Sequence, residues 1–225
     1  FPFGGIGELA FSSQGDRLAV ASVWTPAKII SLDESGPSVI ELGVQNLRMI
    51  RFSPDGEFVA TSSDEGVCQL WDAGTGEEVG EIAQNGSARA FSSDGRFVAI
   101  VQGERAYLVD REINHWLQGQ IQHDSQIQEF VFSQDDRWVA TASRDETVQV
   151  WGVDSEQIRF VTRLWHHSAV NAVQFDPQGR FLATGTEDAK VRLWDLKTGH
   201  PITEWLHHDG AIREIFFDPG GGWFC

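Results

Sequence analysis

Phe11, Phe52, Phe91, Phe132, Phe175 and Phe217 each end a short apolar run and stand before a polar turn, at intervals of 41, 39, 41, 43 and 42 residues. A period of that size means an array of similar units, each too small to bury its own apolar face. The turns read SSQGD, SPDGE, SSDGR, SQDDR, DPQGR and DPGGG. A second apolar run follows each turn but the last, as in FVATSS from Phe58 and FLATGT from Phe181. A third comes next, as in VCQLWD and VRLWDL, and then a weaker fourth, as in PITEWL.

These runs are short, rich in Val, Ile, Phe and Trp, and punctuated by Gly, Pro, Asp and Ser, which is strand composition. Helical spacing of three and four is not sustained over any dozen residues. In the SPDG reversal, Pro54 presets φ, Asp55 can bond locally and Gly56 can take positive φ. DAGTG from Asp72 and DLKTG from Asp195 turn the third strand into the fourth in the same way. Each unit therefore reads as a four-stranded antiparallel meander. Radial stacking of such sheets covers both faces and leaves short protected edges. The predicted fold is an all-β propeller in one domain, 1–225, with units near 1–42, 43–82, 83–120, 121–164 and 165–205 and a partial sixth at 206–225. With FPFGG at one end and GGGWFC at the other, the expectation is a fragment of a longer protein, folded as an open or poorly closed ring of five blades and a stub.

Here the residues resemble the WD-repeat (WD40-type) β-propellers: the VRLWD and CQLWD strands, the SPDG turn, and a His nine residues before the Phe at His123, His166 and His208. The resemblance covers nearly the whole chain and is most specific in the units that begin at His123 and His166. The short spacing from His to Phe is closer to that of bacterial members. In the family, His, Thr, Asp and Trp form a hydrogen-bonded chain within a blade. The resemblance implies that role for His123, Thr141, Asp145 and Trp151, for His166, Thr184, Asp188 and Trp194, for Thr61 and Trp71, and for His208. Thr186, two residues from Thr184, is the alternative hydroxyl. In the second unit Glu65 stands in the Asp column and Gly43 in the His column.

The residues test this independently of any family. Where Trp is missing, Thr is missing too: Val20 with Ile30 in the first unit, Ile100 with Val109 in the third. A buried polar group left alone costs about 1–3 kcal/mol, whereas replacing both partners with apolar groups is nearly neutral. Paired loss is the signature of a structural hydrogen bond. A catalytic Asp-His-Thr triad is the competing reading, and recurrence in successive repeats argues against it.

Acidic residues outnumber basic ones by 33 to 17, a formal charge of -16. That field repels phosphate backbones and anionic lipid, so neither nucleic acid nor membrane is expected as a partner. Two cysteines, Cys68 and Cys225, make no disulfide framework and fit a reducing, cytoplasmic setting. The pairs His166-His167 and His207-His208, with Asp209, invite a metal reading. Neighbours on extended backbone point apart, and His166 and His208 already stand in the clasp column. No metal, catalytic or cofactor site is assigned.

The loops carrying the clasp His and those carrying the clasp Asp must meet, so both belong to one rim. The candidate recognition residues there are Trp24, Arg48, Arg105, Gln128, Arg144, Trp165, Asn171, Glu187, Asp209 and Arg213. Arg48, Gln128, Asn171 and Arg213 lie four positions before the key Phe, and strict alternation would put them on its face of the strand. Diverse polar groups on a repeated rigid frame suit recognition of other proteins or peptides. The expected function is a non-catalytic interaction scaffold within a larger assembly or signalling protein. The alternative is a hydrolase- or lactonase-like enzyme with a metal at the channel.

Overall fold

The computed structural model describes residues 6–32, 36–111, 115–218 and 223–224. Among them there is no helix. The chain forms two compact units, Phe1–Gln102 with Val109–Asn114, and Gly103–Leu108 with His115–Cys225.

In the first unit, β1 (Ile6–Phe11), β2 (Arg17–Ser22), β3 (Lys28–Ser31) and β4 (Ser38–Glu41) form one antiparallel sheet in chain order. β5 (Leu47–Phe52), β6 (Phe58–Ser63), β7 (Cys68–Asp72) and β8 (Glu78–Ala83) form the next. β9 (Ser87–Phe91) pairs with β10 (Phe97–Gln102). The third repeat continues with β11 (Arg105–Asp110), β12 (His115–Trp116) and β13 (Ile121–Gln122); in the second unit Arg105 and Ala106 pair with Gln122 and Ile121. That unit also holds the sheet of β14 (Ile127–Phe132), β15 (Trp138–Ser143), β16 (Thr147–Val153) and β17 (Ile158–Trp165). The sheet of β18 (Val170–Phe175), β19 (Phe181–Thr186), β20 (Lys190–Asp195) and β21 (Leu206–His207) follows, then the pair β22 (Phe216–Phe217) and β23 (Trp223–Phe224). Four-stranded antiparallel meanders in chain order are the blades of a β-propeller.

The turns form for the reasons read from the sequence. Gly56 has φ 74° and donates its N–H to Ser53 O, while Asp55 Oδ1 accepts the Glu57 N–H at 2.9 Å. In SQDDR, Asp136 takes the glycine position at φ 56°, a conformation that Asp adopts more readily than most residues. Asp72 Oδ1 accepts the Gly74 and Thr75 amides at 2.9 and 2.8 Å, and Gly76 follows at φ 74°.

The core lies between successive sheets. Ala19 and Ile29 of the first repeat pack with Ile50, Val59 and Trp71 of the second. Ala60 and Leu70 pack with Val98, Ile100 and Val109. Val148, Val150 and Leu164 pack with Val173, Leu182 and Trp194, and Ala183 and Val191 with Ile212 and Ile215. Second strands are buried almost throughout, as in β15 and β19, whereas the outer β17 is largely exposed. Full burial of one Leu or Ile contributes about 1.5–3 kcal/mol, so each sheet is held mainly by its neighbour.

Two features depart from the sequence reading. Strict alternation fails at the start of the first strands, because a β-bulge falls at Arg48, Gln128 and Asn171. Leu47, Ile127 and Val170 therefore take the buried side, and Arg48 is exposed. A bulge inserts one unpaired residue and turns its neighbours, so counting by twos from the Phe gives the wrong face. In the sixth repeat, only Phe216–Phe217 of the apolar run that ends at Phe217 is paired in a ladder, with Trp223–Phe224.

Candidate functional site

The clasp column is built from the same register in the first, second, fourth and fifth repeats. Thr61 faces Gln69 while Val59 faces Trp71; Thr184 faces Arg192 while Leu182 faces Trp194. Val20 and Ile30 occupy the equivalent places in the first repeat, facing Lys28 and Leu18. In the second repeat Trp71 Nε1 donates to Thr61 Oγ1 at 2.9 Å.

In the fourth repeat His123 Nδ1 lies 2.9 Å from Asp145 Oδ2, and His123 Nε2 lies 2.8 Å from Thr141 Oγ1. Asp145 Oδ2 also accepts the Asp124 N–H at 2.9 Å; its Oδ1 accepts the Thr147 hydroxyl at 2.6 Å and the Thr147 N–H at 3.0 Å. Burial pushes the Asp145 carboxyl upward, but the bonds from Thr147 and the Asp124 amide, together with His123, outweigh it and hold it below the usual range. Burial lowers the His123 pKa, against the opposing pull of Asp145. The fourth member of this set is not joined: Trp151 Nε1 is buried without a partner. Its indole packs edge-on against Phe160, ring centres 5.3 Å apart, where a bulge between Val150 and Trp151 interrupts the pairing with β17.

The fifth repeat completes the other end of the chain. Trp194 Nε1 donates to Thr184 Oγ1 at 2.9 Å, and His166 Nε2 lies 2.8 Å from the same oxygen. Asp188 does not reach His166. It accepts the Thr186 hydroxyl and the Lys190 ammonium, both at 2.6 Å. Two substitutions accompany the change: Lys190 stands where the fourth repeat has Thr147 and Thr186 where it has Ser143, and the cation and the hydroxyl together hold the carboxylate away from the histidine. His166 Nδ1 is left without a partner, and burial pushes the imidazole pKa down to about 4. His166 packs against Trp194 and Trp205, ring centres 5.4 and 5.6 Å away. Thr186 thus serves Asp188 and not the histidine. His208 is exposed, and its N–H donates to Ala189 O at 2.9 Å, as those of His123 and His166 donate to Glu104 O and Glu146 O.

Thr141 and His123 are 0% and 1% exposed. A hydroxyl nucleophile must meet its substrate, and this one meets only the protein. Among the described residues no three His, Cys, Asp or Glu side chains gather as metal ligands.

The backbone ties the two loop sets together in the second, fourth and fifth repeats. Asp64 N–H reaches Asn46 O, Arg144 N–H reaches Gln126 O, and Glu187 N–H reaches Ala169 O. Around these loops stand the rim side chains. In the first unit Trp24 is 72% exposed and Arg48 is ion-paired with Asp64. In the second unit Asn171 Nδ2 donates to Glu187 Oε2 at 2.7 Å, while Gln128 Nε2 reaches only Gln126 O at 3.4 Å, beside the exposed Arg144. Arg105 Nε donates to Gln122 Oε1 at 2.9 Å. Trp165 ends β17, 64% exposed, with the Arg163 guanidinium 5.6 Å from its ring centre. Asp209 and Arg213 are exposed. Trp116 lies on the two-residue β12, edge-on to Tyr107 at 5.1 Å.

Two functional side chains escaped the sequence reading. Glu8 Oε2 accepts the Ile50 N–H at 2.9 Å, and Glu129 Oε2 accepts the Val173 N–H at 2.7 Å. Each carboxylate belongs to the first strand of one repeat and braces the first strand of the next. The available signal was a charge inside an apolar strand, three residues before the Phe.

Residues 43–72, 114–152 and 158–195 match the family model described as WD domain, G-beta repeat. A 104-residue stretch is 25% identical to Protein HIR1 of Candida albicans (strain SC5314 / ATCC MYA-2876), covering 45% of this chain and 9% of that protein. The first three strands of the second and fifth sheets and the first two of the fourth, with the Thr61–Trp71, His123–Thr141 and His166–Thr184 bonds, fall within the matched segments, which are similar to WD40 repeats.

Proposed function

We propose that this chain is a non-catalytic scaffold that binds other proteins or peptides through the loop rim, as a module of a larger assembly or signalling protein. WD40 domains commonly mediate protein–protein interactions. One observation carries the reading. In the second, fourth and fifth repeats the same bulge position and the first residue after the second strand hold a different polar pair: Arg48 with Asp64, Gln128 with Arg144, Asn171 with Glu187. Bulges re-aim side chains next to functional surfaces, and here they present varied groups from a frame fixed by buried hydrogen bonds.

Affinity capture with the chain as bait tests this. Arg48→Glu with Arg144→Glu reverses two rim charges; Arg137→Glu with Lys197→Glu makes the same change at the turns on the other end of the strands. All four are exposed positions, where substitutions typically change stability by within about 0.5 kcal/mol. The rim pair is expected to lose the captured proteins and the turn pair to keep them. Equal loss from both pairs, or capture unaffected by the rim pair, overturns the proposal.

A further inference from the structure

Glu214 stands three residues before Phe217, the position of Glu8 before Phe11 and of Glu129 before Phe132. Glu8 and Glu129 each hold a backbone N–H of the following repeat's first strand. Glu214 is exposed and has no hydrogen-bond or ion-pair partner among the described residues. Phe216 beside it is 54% exposed.

The complementary surface is on β1. The N–H groups that Glu8 and Glu129 hold belong to Ile50 and Val173, each two residues before the key Phe. Leu9 is their equivalent. It faces Val20 as Ile50 faces Thr61 and Val173 faces Thr184, so the register turns its amide away from the second strand in the same manner. Ile50 and Val173 are 0% and 1% exposed, but Leu9 is 51% exposed and Phe11 63%. β1 therefore shows the apolar side that β5 and β18 bury against the preceding repeat.

We propose that the Glu214 surface of one molecule docks β1 of a second copy, head to tail. The Glu214 carboxylate accepts the Leu9 N–H of the second copy, and Phe216 covers its Leu9 and Phe11. The chain's own junctions supply the template: one carboxylate, one amide two residues before a Phe, and apolar side chains around them. A charge-assisted bond shielded by such a surface is about twice as strong as a neutral one. The contact uses different patches on the two molecules, so it propagates and does not close as a two-fold dimer.

Sedimentation equilibrium over a range of concentrations tests this on the whole chain and on two variants, Glu214→Ala and Leu9→Asp. Both sites are exposed, and unfolding curves check that the variants fold like the parent. The parent is expected to grow in mass with concentration, and each variant to weaken association by about tenfold or more. Leu9→Asp keeps a working Glu214 surface and Glu214→Ala keeps a working β1. Mixed, they are expected to form a one-to-one dimer that goes no further. A parent that stays monomeric, association indifferent to both variants, or a mixture that fails to pair while the parent associates, each overturns the proposal. The rim charge reversals leave both surfaces intact, so failure here is separable from failure of the scaffold reading.

Discussion

Trp194 donates its indole N–H to Thr184 at 2.9 Å, while the equivalent Trp151 N–H, in the adjacent repeat, is buried without a partner. One sequence column thus holds a bonded and an unbonded version of the same side chain.

Trp194→Phe is expected to cost about 1–3 kcal/mol, since it leaves a buried hydroxyl short of a partner. Trp151→Phe removes an unsatisfied group and should cost clearly less. The double change Trp194→Phe with Thr184→Val should recover part of the loss, imitating Ile30 with Val20. Denaturant unfolding of the parent, of Trp194→Phe, Trp151→Phe and Thr184→Val singly, and of the double variant measures this. Equal costs at the two tryptophans, or a double mutant equal to the sum of independent losses, would contradict the assignment.

Acid should weaken the fold through His166. Its pKa is about 4 when folded, against 6.5 for the ordinary imidazole. Above 6.5 both states are neutral and stability is full. As pH falls toward 4, the unfolded chain binds a proton that the folded chain does not, so stability is lost across that window. At 1.36 kcal/mol per pH unit the loss is on the order of 3 kcal/mol, and His123, lowered in the same direction, adds to it. Urea unfolding at a series of pH values gives the slope, which His166→Phe should flatten even as it lowers stability near neutral pH.

The period, the turns and the Thr–Trp coupling were legible because each depends on residues adjacent in sequence or fixed in register. The rest of the clasp was not. Asp145 is held by the Thr147 hydroxyl and Asp188 by the Thr186 hydroxyl and the Lys190 cation, residues outside the four-residue pattern. The bulges at Arg48, Gln128 and Asn171 leave no mark in the apolar periodicity, so the face of those side chains was misread. Glu8 and Glu129 looked like charges misplaced in apolar strands until the neighbouring strand supplied its amide.

Glu129→Ala should destabilise the second unit by about 1.5–3 kcal/mol, the range for hydrogen bonds to charged groups. Glu129→Gln keeps an acceptor and should recover part of that. Thermal or denaturant unfolding distinguishes them, and equal effects would mean that the Val173 amide finds another partner.

Gly185 is closed to any side chain. A Cβ there would lie 2.3 Å from Ile212 Cγ2 and 2.7 Å from Ile212 Cβ. Gly185→Ala is therefore expected to cost about 1–3 kcal/mol by overpacking, and Ile212→Ala should absorb much of it in the double mutant. Additive losses in an unfolding cycle would show that the clash is relieved elsewhere.

Hydrogen exchange of the chain, with and without a protein captured by it, tests the central claim that recognition belongs to the rim and the clasp only holds the frame. The account predicts slowed exchange in the rim loops at 63–67, 143–147 and 186–190, with the turns at 53–57, 133–137 and 176–180 unchanged. Protection confined to those turns, with the rim loops exchanging as in the free protein, would contradict it.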